Sequence, residues 1–149
     1  AHSEIEQCVR LAKQKGIQLS SMVFPGGTYG NIKTLKEHGF TSYRHPMKYD
    51  ICLPKFDEEG LLRIPSSTCL DKDPYGWSAE THIKMARKYI KKTIESKKVC
   101  HFWFHPSMNK WYLKNVFPAI LEEIAKERDK GNLEVKTMNQ IVKSFSINE

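Results

Sequence analysis

Apolar and polar positions along the first part of the chain repeat with alternating helix and strand periods. Residues 3 to 15 carry apolar side chains at helical spacing, and Gly16 stands where such a helix should end. The run SSMVF at 20–24 predicts a short strand, IKTLKEH at 32–38 a short helix and FTSYR at 40–44 a second strand. This part therefore predicts the order helix, strand, helix, strand.

The second part returns to that order after a loop-rich stretch at 45–77, which four prolines divide into turns around one strand, LLRI. From Ser78 a long helix is predicted, with its apolar stripe at Ile83, Ala86, Ile90 and Ile94. The chain's clearest strand pattern, VCHFWF, follows this helix. After it, the pattern predicts a helix over 115–132, a strand LEVKT at 133–137 and a helix over 138–145. Phe117, Ile120, Leu121 and Ile124 are expected to line one face of the 115–132 helix.

Strands alternating with helices predict a single α/β domain with a mostly parallel sheet and helices packed outside it. Two architectures satisfy this pattern, a segment of a (β/α) barrel and an open doubly wound sheet. In both, active sites collect at the C-terminal ends of the strands. The chain opens on Ala1 and His2 and continues with SEIE, a capping box with Ser3 as N-cap, so we expect either a lost upstream segment or two foreign leading residues.

Charge and composition narrow the class of partner. The apolar runs are far shorter than the ~18 residues of a membrane span, so no membrane partner is expected. The net charge of +7 would suit an anionic partner such as nucleic acid or an acidic glycan. Most lysines are scattered along helical stretches, however, and finger or RNP-like signatures are absent. No nucleic-acid partner is expected, and salt-sensitive DNA binding would reverse that expectation.

The four cysteines do not form a zinc ribbon or a redox dithiol pattern, because no two of them are closely spaced. Cys8 and Cys100 lie among apolar neighbours and are predicted to be small buried hydrophobes. The spacing favours a reducing compartment, with a cytoplasmic leaning, and leaves a disulfide open.

The stretch HFWFHPSMNKW at 101–111 is the first candidate for chemistry. His105 follows the VCHFWF strand directly, and Pro106 stops the strand there, so His105 is predicted at the active rim. His101 and His105 also form an HxxxH pair, for which zinc binding is the weaker interpretation. Trp103, on the strand itself, is expected to pack in the core.

Two further loops are predicted at the same rim. PGGTYG at 25–30 brings Tyr29 and Gly30 there, with glycines that let a backbone N–H approach a ligand, although a plain turn uses the same residues. STCLDKDPYGW supplies Asp73, along with Asp71, and Trp77. No catalytic role is predicted for the other histidines. His38 is expected at the surface, His45 in a loop and His82 in the first turns of a helix, and His2 is a weak candidate for a metal ligand.

The ordered set SSMVFPGGTYGNIKTLKEHGFTSYR, GLLRIPSS, FWFHP and GNLEVKTMNQI resembles the C-terminal two thirds of a polysaccharide deacetylase of the NodB type, carbohydrate esterase family four. The resemblance implies a partial distorted (β/α) barrel and a metal-dependent hydrolase that removes N-acetyl or O-acetyl groups from amino-sugar glycans. It implies zinc or a similar divalent metal, His105 as the acid that protonates the leaving amine, and a backbone N–H near Tyr29 and Gly30 at the oxyanion. Asp73 and Trp77 loosely resemble the loop that supports the acid. With a sugar substrate, Trp77 and Trp103 become candidates for stacking on the apolar face of a pyranose ring, although core packing is the more common role for Trp103.

The departures from that family concern the metal. The family's Asp-Asp pair and two-histidine motif precede the point where this chain begins, and Phe24 stands where an arginine is usual. We therefore expect little turnover from this chain alone, and we expect its open strand edges to favour self-association. The alternative function is a non-catalytic carbohydrate-binding or accessory module on a degenerate barrel.

Overall fold

The computed structural model describes residues 2–46, 50–70, 76–105, 107 and 110–146. Six helices and six strands lie within these ranges, together with one 3-10 turn at Pro25–Gly27. The helices are α1 (His2–Gln14), α2 (Ile32–Glu37), α3 (Ala79–Ser96), α4 (Lys110–Asn115), α5 (Phe117–Asp129) and α6 (Met138–Ser146). The strands are β1 (Ser21–Met22), β2 (Ser42–His45), β3 (Lys55–Phe56), β4 (Leu62–Pro65), β5 (Thr68–Cys69) and β6 (Phe102–Trp103).

The contacts of the chain divide it into two compact units. Unit 1 comprises Ala1–Pro46, Pro54–Pro65 and Lys136–Glu149, and unit 2 comprises Met47–Leu53 and Ser66–Val135. The fold is mixed α/β, and among the described strands the sheets are partly parallel and do not close into a barrel. The prediction of one domain stays a prediction.

Unit 1 contains a four-stranded sheet in the order β1-β2-β4-β3. The first two pairings are parallel, with Ser21 opposite Ser42 and His45 opposite Pro65 at the two ends of the register, while β3 joins β4 as an antiparallel hairpin. Parallel pairing places the C-terminal ends of β1, β2 and β4 at the same edge. The loops that follow these three strands therefore lie at one edge of the sheet.

The core of unit 1 forms between this sheet and its helices. Leu35, Phe40, Tyr43 and Leu61 are buried together, and Ile5 and Val9 of α1 pack against them. One polar anchor lies beside this core. The hydroxyl of Tyr43 bonds the carboxylate of Asp57, and burial, followed by this bond, raises the pKa of Tyr43 strongly.

The Asp57 carboxylate also fixes the β3–β4 turn. Its Oδ1 accepts backbone N–H bonds from Glu59 at 3.1 Å and Leu61 at 2.9 Å. A single aspartate therefore links the hairpin turn to the tyrosine at the centre of β2.

Unit 2 pairs β5 with β6 in parallel and packs α3, α4 and α5 around its own core. The buried members of that core are Leu70, Ala86, Tyr112, Val116 and Ile120. Ser78 caps α3 by accepting a bond from the backbone N–H of Thr81 at 3.3 Å. On the outer side of α3, Lys92 bonds Asp50 at 2.6 Å, a surface pair that attaches the segment 50–53 to the helix.

Several predicted elements have different bounds in the structure. LEVKT is not a strand: residues 133–137 pair with no described strand, and Val135 is 63% exposed. VCHFWF contributes only Phe102–Trp103 to a strand, and the predicted 115–132 helix begins at Phe117, after the separate α4. Gly131, at a φ of 76°, follows the end of α5 as expected.

Four residue-level expectations are also corrected. Cys8 is exposed, since α1 turns Ile5 and Val9 rather than Cys8 toward the core. Leu121 is 49% exposed, on the outer side of α5, whereas Ile120 is buried. His45 ends strand β2 instead of lying in a loop, and Ser3 lies inside α1, which begins at His2.

In the part of the chain that the structure describes, no helix has the length and apolar character required to cross a membrane.

The anchor at Asp57 gives a test of unit 1. Replacing Asp57 by Ala removes the acceptor of two backbone amides and of the Tyr43 hydroxyl, so the free energy of unfolding should fall by about 1–3 kcal/mol. Urea unfolding followed by circular dichroism measures this change. Glu58→Ala, in the same turn and exposed, should stay within about 0.5 kcal/mol of wild type. Equal stability of the two variants would contradict the stabilising role of Asp57.

Candidate functional site

The C-terminal edge of the parallel pair in unit 2 carries His105. Strand β6 ends at Trp103, and His105 follows two residues later as an exposed residue. The imidazole lies edge-on to the Trp103 indole, with ring centroids 4.9 Å apart and an interplanar angle of 83°. The indole contacts the imidazole, while His105 as a whole is exposed to solvent.

Hydrogen bonds fix the two strands that precede His105. The N–H of Ser67 donates to the carbonyl of His101 at 2.9 Å, and the N–H of His101 donates back to Ser67 Oγ at 3.1 Å. At the other end, the N–H of Leu70 donates to the carbonyl of Trp103 at 2.8 Å. The two strands are therefore held along their whole short length, which fixes the base of the His105 segment.

A second aromatic group in unit 2 surrounds His82, which is 1% exposed in the first turns of α3. Its ring lies 5.4 Å from Trp77, 5.1 Å edge-on from Tyr112 and 6.4 Å from Trp111. Sequence reasoning assigned His82 no role. The usable signal was its place in the row His82, Ala86, Ile90, where residues four apart share a helix face.

The C-terminal edge of unit 1 carries Tyr29. Its ring lies nearly parallel to that of Tyr43, at 28° with centroids 6.0 Å apart, and 5.0 Å from that of His45. Tyr29 is 48% exposed, whereas Tyr43 is 1% exposed. In the turn that leads to it, Gly26 has a φ of 68°, which explains glycine there.

The structure thus groups the predicted site residues in two places. Tyr29 and Gly30 belong to unit 1, and Trp77, Trp103 and His105 belong to unit 2, where His105 contacts Trp103 and Trp77 contacts His82. A Cβ at Gly30 would meet no atom within 4 Å, so packing does not demand glycine there. Asp73, like Asp71, lies outside the described residues, and its predicted place beside His105 stays a prediction.

The described residues do not fit a resident metal ion. Among them, no group of three or more histidine, cysteine, aspartate or glutamate side chains could hold one, and this includes the HxxxH pair. All four cysteines are free thiols. Burial raises the pKa of Cys100 to about 11, so this thiol stays protonated and a poor nucleophile or ligand at neutral pH.

Comparison with known proteins adds no family assignment. No family model matches the chain, and no curated protein matches it.

The aromatic surround of His82 gives a second test. Replacing His82 by Ala leaves a cavity between Trp77 and Tyr112, so the free energy of unfolding should fall by about 2–4 kcal/mol. Guanidinium unfolding measures the loss. Lys84→Ala, exposed on the same helix, is the matched control and should change stability by less than about 0.5 kcal/mol. If His82→Ala is as stable as that control, the packed imidazole is refuted.

Proposed function

We propose that this chain is part of a polysaccharide deacetylase-like hydrolase that acts on acetylated amino-sugar glycans. The observation that carries the proposal is the exposed imidazole of His105, mounted just past the C-terminal end of β6 with the Trp103 indole at its side. The resemblance of the sequence to the NodB type supplies the substrate class. The parallel pairings β1-β2-β4 and β5-β6 are compatible with a partial distorted barrel, which is the proposed architecture.

In this proposal His105 is a general acid. Hydrolysis of the N-acetyl group adds a water oxygen to the carbonyl carbon and breaks the carbon–nitrogen bond. The His105 imidazolium gives its proton to the departing nitrogen, which leaves as the free amine while acetate is formed. An amine is a poor leaving group without that proton, so the donor must reach the amide nitrogen. An exposed side chain at a strand end has that access.

The aromatic residues beside the acid have a binding role in the proposal. Trp103 presents an indole next to His105, and an indole face suits the carbon-bound hydrogens of a pyranose ring. Trp77 is half-buried against His82 and is the second such candidate.

The divalent metal of the deacetylase family remains an expectation from the resemblance. Because the described residues do not fit a metal ion, any ligands would have to come from outside them, and no step of the reaction is assigned to the ion. We expect acetate release by this chain alone to be slow.

Acetate release from tri-N-acetylchitotriose with added zinc tests the role of His105. His105→Gln should lower the release rate by about 10²-fold or more, because proton transfer to the amine is lost, while calorimetry should find sugar affinity nearly unchanged. His38→Gln, which removes an imidazole from the end of α2, is the matched control and should keep the wild-type rate. A His105→Gln rate equal to that of the control contradicts the proposal.

The second candidate function is a carbohydrate-binding accessory module. It is favoured by the absence of a metal-binding group among the described residues, combined with the exposed aromatic side chains. Calorimetry in the presence of a chelator separates the two functions. Undiminished sugar binding together with no acetate release under any metal condition supports the accessory module.

A further inference from the structure

Two of the six histidines stand directly before a proline, and both follow the same local plan. His45 is the last residue of β2 and precedes Pro46, and His105 follows β6 and precedes Pro106 in the sequence. Each imidazole lies close to an aromatic ring. The centroid distance is 5.0 Å from His45 to Tyr29 and 4.9 Å from His105 to Trp103. Unit 1 therefore carries its own imidazole and aromatic pair at a parallel strand end.

The Tyr29–His45 pair in unit 1 has one side packed on Tyr43 and one side exposed to solvent. Tyr43 and His45 are two residues apart on β2, so their side chains leave the same face of the sheet. The Tyr29 ring lies along the Tyr43 ring at 28° and also reaches His45. Since Tyr29 is 48% exposed over a Tyr43 that is almost completely buried, the open face of its ring is the one turned away from Tyr43.

The support beneath this pair is rigid. The Tyr43 hydroxyl bonds Asp57, whose carboxylate is held in turn by the backbone amides of Glu59 and Leu61. A tyrosine hydroxyl is protonated at neutral pH, so Tyr43 can donate this bond there. Arg63 stands opposite Tyr43 in the β2–β4 register and adds a positive charge nearby. A fixed support lowers the entropy that a ligand-binding ring would lose on binding.

We propose that Tyr29 and His45 form a sugar-binding subsite in unit 1. The apolar face of a pyranose ring packs on the open face of Tyr29, and His45 exchanges a hydrogen bond with a hydroxyl or acetamido group of the same sugar residue. Ligand sites combine aromatic side chains with a few placed polar groups, and this pair offers one of each. The identity of the sugar as an N-acetylated amino sugar rests on the proposed function.

Histidine NMR with N,N′-diacetylchitobiose as the probe tests the subsite. The Cε1–H resonances of the imidazoles are assigned with His45→Gln and His105→Gln and followed during titration of the full chain. The His45 resonance should move with saturating sugar. Tyr29→Ala should weaken the affinity that this resonance reports by about three- to tenfold, while Tyr29→Phe, which keeps the ring, should stay close to wild type.

Val23→Ala, an exposed apolar truncation in the same strand-to-loop segment, is the matched control and should leave the affinity unchanged. A His105 resonance that moves while His45 stays fixed overturns the subsite and leaves the proposed function intact. A His45 resonance that moves alone, with the Tyr29 dependence, supports the subsite and counts against His105. If neither moves up to millimolar sugar, the subsite is overturned.

Discussion

Parallel strand pairing is the constraint on which the rest of this protein depends. In unit 1 the backbone register of β1, β2 and β4 aligns three strand ends, and in unit 2 the bonds between β5 and β6 align two more. Parallel strands must be joined by crossover segments, so the loops after their C-terminal ends gather at one edge. His45 and Tyr29 share such an edge, and His105 occupies another. The contact between His45 and Tyr29 depends on this register, whereas His105 contacts Trp103, which lies two residues earlier in its own segment.

Each unit then fixes its edge with a buried polar or aromatic side chain. In unit 1 the Tyr43–Asp57 bond joins the middle of β2 to the β3–β4 turn, directly beneath the exposed Tyr29. In unit 2 the His82 ring lies among Trp77, Trp111 and Tyr112 at the start of α3. Burying the polar atoms of a phenol or an imidazole costs free energy unless they form hydrogen bonds. The common effect of these two side chains is to hold exposed aromatic rings in fixed positions, which is what a binding surface needs.

Sequence reasoning succeeded where the information was local. The helix start at Ser78, the stop at Gly131 and the placing of His105 past a strand end all follow from neighbouring residues, and the structure confirms them. The predictions were wrong where strand pairing with a distant segment decided the structure. LEVKT alternates like a strand but finds no partner in the described structure, whereas Thr68–Cys69 has no pattern of its own and becomes a strand through β6. The bond between Tyr43 and Asp57 joins β2 to the β3–β4 turn, a long-range contact that short-range patterns do not specify. His45 is predicted in a loop, but it extends β2 because it pairs with Pro65 of β4.

The most direct test of the central claim is a crystal structure of the chain grown with tri-N-acetylchitotriose. If His105 is the proton donor to an acetamido nitrogen, that nitrogen should lie within hydrogen-bond distance of the His105 imidazole, with a sugar ring against the neighbouring indole. A well-ordered sugar bound with no acetamido group near His105 would contradict the assignment.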